Sequence, residues 1–342
     1  MIGYLLIIRI KLIFSYSVDL DGAEFVFVYY VQRLLANHTI YNNPTEFPYL
    51  ACLFVPIYLY TLKTIVSVFS ISKQSDMHFI YIVGRSFSLV LFLLQLVITT
   101  TYFRKRFSLS FDKILIIVLI NLLLISGHMY VIRPDAMKFL LFSINFILLV
   151  EYEFFRQRFF YLMLFLLLAV FNVFIKQDTV VYACVMILSM LVVTRKIKYL
   201  GLFLLFITFV FIAFNIMKHV FGEYFYTNVI LFNFQTIDHV FTSINMMLVV
   251  YSLGRLSPLL FILFIFLIQY KSIKKDALVL FVLLFLLSSL IVSHLFILRA
   301  GSNINYAYES IFSAFFLLAI LISKVNNLLL IKKHTYLFVW MY

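Results

Sequence analysis

Residues Phe79–Phe103 read FIYIVGRSFSLVLFLLQLVITTTYF, and the next three are Arg104-Lys105-Arg106. One charge, Arg85, interrupts this 25-residue apolar run. A bilayer core of about 30 Å needs roughly 20 apolar residues of helix to cross it. The run is long enough, and the basic cluster behind it is the mark of a cytoplasmic loop.

The same pattern recurs outward in both directions. Toward the N-terminus lie Tyr49–Phe69 and a short, charged run, Ile2–Val18, with Arg9 and Lys11 inside it. That first run lacks a small-residue cleavage site, so it reads as a span rather than a signal peptide. Toward the C-terminus come Ile114–Met129, Ala136–Val150, Phe159–Ile175, Thr179–Val193 and Tyr199–Met217. Val240–Leu253, Pro258–Tyr270, Ala277–Leu298, Tyr306–Ile322 and a tail from Leu328 complete the series. Of the 342 residues, 65% are hydrophobic and 12% charged, against about 25% charged in soluble domains. Mean hydropathy is +1.10. The expectation is an all-α, polytopic transmembrane helical bundle of about 10–12 spans, with residues 1–342 forming one membrane-embedded domain.

The net charge of +13 would point to nucleic acid in a soluble protein. Here the basic residues sit in short clusters between apolar runs, which is membrane topology, and no nucleic-acid partner is expected. Cys52 and Cys184 both lie in apolar runs and read as small buried hydrophobes. No Cys/His cluster has metal-site spacing.

Arg104-Lys105-Arg106, Arg156/Arg158, Arg195-Lys196-Lys198 and Lys271/Lys274/Lys275 are placed in the cytoplasm. Arg133-Pro134-Asp135, Lys176-Gln177-Asp178, Lys218–Asp238, Arg299–Asn305 and Asp19–Glu46 then face outward. Two difficulties follow. Val240–Leu253 must be discounted as a crossing. Tyr49–Phe69, with Pro56 as a helix breaker and Lys63 near mid-membrane, becomes a re-entrant or membrane-surface hairpin. The alternative makes Phe69–His78 cytoplasmic and leaves one later run short of a crossing.

The outward loops carry the polar chemistry. Asp21 and Glu24 share one face if helical, and a partly desolvated acid there suits a general base. Asp21 as N-cap with Glu24 in a capping-box variant is the equally available structural reading. Placing an Arg, Lys or Asp at the bilayer centre costs about 2.5–3.5 kcal/mol, so Arg133, Asp135, Lys176 and Asp178 belong at an edge or in a polar cavity. A cationic pocket on that face suits a phosphate or diphosphate. Asn303, Asn305 and Tyr306, in a turn-forming segment, are placed to hold a sugar or lipid headgroup.

These motifs carry a resemblance. Asp21-Gly22-Ala23-Glu24, Tyr41 with Pro44–Tyr49, Arg85, Arg104–Phe107, Arg133-Pro134-Asp135, Lys176-Gln177 and Gly301–Tyr306 resemble, in order and spacing, motifs of GT-C membrane glycosyltransferases. The group is that of dolichyl-phosphate-mannose mannosyltransferase-like and aminoarabinose-transferase-like proteins. Gly22 stands where that pattern has a second acid.

The resemblance implies a GT-C-like bundle with a short outer first loop carrying membrane-surface helices. It implies transfer of a sugar from a polyprenyl-phosphate donor to a lipid, glycan or protein acceptor on the extracytoplasmic face of the membrane; small size and the absence of organelle signals suggest that this is a bacterial inner membrane. Asp21 and Glu24 would be catalytic; Arg133, Asp135, Lys176, Gln177, Asn303, Asn305 and Tyr306 would bind substrate. No cofactor is assigned, and a divalent metal is left open. A transporter or flippase of a lipid-linked sugar is the competing expectation.

Overall fold

The computed structural model describes residues 2–15, 19–20, 23–46, 51–69, 76–125, 129–231, 243–269, 276–298 and 304–323. Among them the chain is helical without strands. The N-terminal part holds α1 (Ile2–Ser15), α2 (Glu24–Leu35), α3 (Pro56–Phe69), α4 (Met77–Phe107) and α5 (Phe111–Ile125). Next come α6 (Asp135–Val150), α7 (Phe159–Val173), α8 (Thr179–Thr194), α9 (Lys198–Phe221) and a short α10 (Tyr224–Tyr226). The last three are α11 (Ser243–Gln269), α12 (Ala277–Ile297) and α13 (Tyr308–Ser323). A π-helical turn, Glu151–Arg156, extends α6.

Four helical stretches, Met77–Phe107, Lys198–Phe221, Ala277–Ile297 and Asn305–Ser323, are long and apolar enough to cross a membrane. Their surroundings agree. Helix α9 leaves Leu204, Phe211 and Ile216 exposed, a continuous apolar face that water would not tolerate and lipid solvates. The chain is a membrane protein. Helix α13 is instead enclosed, packed among α4, α5, α6, α11 and α12. Aromatic rings fill the space around it, with Phe146 and Phe316 centroids 4.9 Å apart and Phe142 and Phe312 5.7 Å apart.

Two expectations about topology change. Val240–Leu253 and Pro258–Tyr270 are not separate runs: residues 243–269 form the single helix α11, with Pro258 inside it. Proline leaves the carbonyl four residues back without its N–H donor. That carbonyl belongs to Gly254, and the Ser257 hydroxyl donates to it at 2.8 Å. A side-chain donor of this kind lets a helix pass through proline where no water is at hand. At about 1.5 Å per residue the 27-residue helix is roughly 40 Å long, enough for one crossing, so nothing needs discounting.

The hairpin expected in Tyr49–Phe69 is also absent from its described part. Residues 51–55 are non-helical and 56–69 form one helix, which Pro56 opens rather than breaks, as proline's fixed φ allows in a first turn. Helix α3 packs Tyr58, Leu59, Leu62 and Val66 against α2 and the first turns of α4. A second apolar cluster joins α2, α3, Ile80, Tyr81, Ile132 and Ile175. It caps the end of the bundle where α4, α6 and α8 begin.

Candidate functional site

Helix α6 begins with Asp135 and, one turn later, carries Lys138 on the same face. Both are buried. The turn between α7 and α8 lays Lys176, Gln177 and Asp178 beside them. The Lys176 ammonium donates to Asp135 Oδ1 at 2.8 Å and lies 3.9 Å from Asp178 Oδ2. Asn305, just before α13, donates through Nδ2 to Asp135 Oδ2 at 3.0 Å. The ring of Tyr306 lies under Lys176, with 4.3 Å from Nζ to its centroid. Burial works against the Lys176 charge, but Asp135 and then Asp178 outweigh it and hold the ammonium above the ordinary lysine value. Arg133 is half-buried at the same end, within electrostatic reach of Asp135, Tyr58 and Tyr308. Four of the expected binding residues, Asp135, Lys176, Asn305 and Tyr306, therefore meet, with Arg133 close by.

Gln177 turns away from them. Its Nε2 donates to the Leu53 carbonyl at 3.0 Å, fastening the turn to the segment before α3. That segment is tied down further. Tyr41 donates to the Phe54 carbonyl at 2.8 Å. Buried Asn228 accepts from Cys52 N and donates to the Asn42 carbonyl, at 2.8 and 2.9 Å.

Glu24 opens α2 and is fully buried, without capping it: Ala23 holds the cap position and makes no side-chain cap bond. Its Oε1 accepts from Arg85 Nε at 3.0 Å and from the Ile132 amide at 2.8 Å. Its Oε2 accepts from Arg85 Nη2 at 2.6 Å and from the Leu20 amide at 2.8 Å. Four donors use the carboxylate's lone-pair sites. Glu24 therefore anchors α2 to α4 and to the segment that presents Arg133, and offers no oxygen to a substrate proton. Asp21 and Asn303 lie outside the described residues.

The network runs deeper than the sequence reading took it. Lys138 Nζ donates to Asp178 Oδ2 at 2.9 Å and lies 2.7 Å from Glu309 Oε1 on α13, off the axis of a hydrogen bond. Tyr182 of α8 donates to the Tyr306 carbonyl at 2.6 Å, and its hydroxyl is 3.3 Å from that of Ser293. Ser293 and Ser310 hydroxyls are 2.8 Å apart. Lys138 and Glu309 carried a usable signal: a chargeable group within an apolar run is costly there and reads as functional by default; Tyr182, one of 23 tyrosines, carried none.

The opposite end of the bundle is basic. Arg106, closing α4, grips Glu151 with Nε and Nη2 at 2.8 and 2.9 Å. Lys196 and Lys198 both donate to Glu153. The two charge clusters sit at opposite ends of α6, about 24 Å apart for 16 residues. Among the described residues no group of three or more His, Cys, Asp and Glu is placed to hold a metal. Compared with protein families, curated proteins and solved structures, the chain matches none.

Proposed function

We propose that the protein is a membrane glycosyltransferase of GT-C type, with about 10–12 spans. It would move a sugar from a polyprenyl phosphate to a lipid, glycan or protein acceptor. The observation that carries this reading is the meeting of Lys176, Asp135 and Asn305 from three separated stretches of chain. Arg133 stands beside them, at the end of the bundle away from the basic loops. By the distribution of Lys and Arg that end faces out of the cytoplasm, here taken to be that of a bacterium.

In the proposed reaction the acceptor oxygen attacks the anomeric carbon opposite the phosphate. The new C–O bond forms as the bond to the phosphate oxygen breaks, and the lipid phosphate leaves with the electron pair. Lys176 and Arg133 stabilise the negative charge that gathers there. Asp135, held by Asn305, aims the Lys176 ammonium. The proton from the acceptor hydroxyl goes to a carboxylate. Asp21 is the candidate for that role, since Glu24 has its oxygens occupied.

A transporter of a lipid-linked sugar is the second reading. It is favoured by the buried Lys138–Asp178–Glu309 cluster, since paired ionisable residues inside a bundle mark ion and proton pathways. Purified protein in nanodiscs, incubated with radiolabelled polyprenyl-phosphate sugars and a membrane-lipid acceptor fraction, tests the first reading. Release of polyprenyl phosphate with label in a new product supports it. Label that only changes leaflet in sealed vesicles rejects it for the second.

A further inference from the structure

Lys138 is the shared partner of two carboxylates. Asp178 and Glu309 contact its ammonium at 2.9 and 2.7 Å, and the side chains of Lys138 and Glu309 are wholly buried. Lys176 does not restore the balance. It is engaged by Asp135 at 2.8 Å and stands 3.9 Å from Asp178. With every group ionised, two acids would share one ammonium in an enclosed site.

The hydrogen bonding shows the same shortfall. Among the described residues, Asp178 Oδ1 and Glu309 Oε2 are buried without a hydrogen-bond donor, and Glu309 Oε1 has only the 2.7 Å contact with the Lys138 ammonium. A buried, uncompensated carboxylate costs far more than one that neutralises itself by binding a proton. A buried acceptor without a donor calls for a physical explanation. A proton on one carboxyl answers both shortfalls, because it removes the surplus charge and turns an acceptor into a donor.

The charged and polar groups around Glu309 come from several elements, and Arg133, in the segment before α6, reaches Asp135 and Tyr308 electrostatically. Helix α6 brings Lys138 and Asp135, the α7–α8 turn brings Asp178 and Lys176, and α8 brings Tyr182. Ser293 of α12 is bonded to Ser310 and the Ser289 carbonyl. On α11, Arg255 donates to the Leu123 carbonyl and reaches Tyr308 electrostatically. Helix α4 meets α13 through Tyr102 and Phe103 against Phe316, and Lys113 of α5 bonds the Ile322 carbonyl, both farther along α13.

We propose that the Lys138 cluster is a proton-binding site, in which Glu309 carries one proton beside the Lys138–Asp178 pair. The site is independent of whether the protein transfers or transports a sugar. Its consequence for either activity is electrical: with the proton bound, the cluster is neutral and does not repel an anionic phosphate drawn to Lys176.

Infrared difference spectroscopy of the purified wild-type protein in nanodiscs tests this. At neutral pH we expect a carboxylic-acid C=O band that shifts in D2O, is lost in Glu309→Gln, and moves in frequency in Glu309→Asp. The band should also disappear reversibly as pH is raised, a measurement that needs no variant. Absence of a protonated-carboxyl band in the wild type at neutral pH overturns the proposal. So does a band that persists undiminished in Glu309→Gln.

Discussion

Glu24 and Arg85 stand 61 residues apart in sequence and meet as a bidentate pair, Nε to Oε1 at 3.0 Å and Nη2 to Oε2 at 2.6 Å, with neither side chain exposed. The guanidinium also lies 4.8 Å from the centre of the Tyr81 ring. Only arginine offers this planar fork, so lysine at position 85 would not replace it. Removing one partner of a buried pair strands the other charge and costs about 3–5 kcal/mol. Glu24→Gln and Arg85→Lys should therefore each lower the thermal unfolding midpoint in detergent by many degrees, with any loss of activity following the loss of fold. A Glu24→Gln protein with an unchanged midpoint and no activity would instead make Glu24 a catalytic base.

A tight contact holds the Arg133 segment against α4. A Cβ built on Gly84 would meet Ile132 Cδ1 and Cγ1, both at 2.9 Å. Gly84→Ala should destabilise by about 1–3 kcal/mol through overpacking. Ile132→Ala, which empties a fully buried position, should cost about 2–5 kcal/mol. Together they should cost less than the sum, because the new methyl fills part of the space the isoleucine leaves. Additive single costs in denaturant unfolding would show that Ile132 moves aside freely, and that the segment bearing Arg133 is not fixed by this contact.

Much of this was legible from residue pattern. Apart from the start of α3 at Pro56 and the unbroken α11 through Pro258, the ends of the helices expected from apolar runs fell within a few residues of those runs, because burial in lipid demands the same composition wherever a helix crosses. Asp135, Lys176 and Asn305 stood out for the converse reason, as polar groups at the borders of apolar runs. What pattern could not supply was compensation by distant atoms. Pro258 reads as a break until Ser257 is seen bonding the Gly254 carbonyl. Glu24 reads as the capping-box partner of Asp21 or as a base until Arg85 and the Ile132 amide are seen to occupy it. Lys138 and Glu309 each read as isolated charges until α6 and α13 lie side by side.

At the basic end, Glu153 accepts from Tyr199 Oη at 2.5 Å and from Lys198 at 2.8 Å, and also from Lys196. Burial pushes its carboxyl up, but the hydrogen bonds from Lys196, Lys198 and Tyr199 outweigh it and hold it below the usual glutamate value. A group bound to fewer protons when folded than when unfolded contributes stability above its unfolded value and loses it as pH falls through the folded one. The contribution should be whole above the ordinary glutamate value of about 4.3 and fade below it. Glu153→Gln should flatten the acid limb of a midpoint-against-pH curve. An identical acid limb in the variant would remove Glu153 as its source.

The phosphate assignment makes the most direct demand on the site. Lys176→Met removes the ammonium while leaving its apolar stem, and Asn305→Ala takes the Asn305 Nδ2 donor from Asp135 Oδ2 without touching a charge. If Lys176 stabilises the departing phosphate, its loss should lower the transfer rate by about 10²-fold or more, as for other single donors to a developing oxyanion. Asn305→Ala should act more weakly, by letting Asp135 draw Lys176 off line. Binding of polyprenyl phosphate, followed by native mass spectrometry, should weaken in Lys176→Met and change little in Gln177→Ala, because Gln177 holds the Leu53 carbonyl instead. Equal binding of the lipid phosphate by wild type and Lys176→Met would place the anion elsewhere, and the glycosyl-transfer reading would lose the residue on which its electrostatics rest.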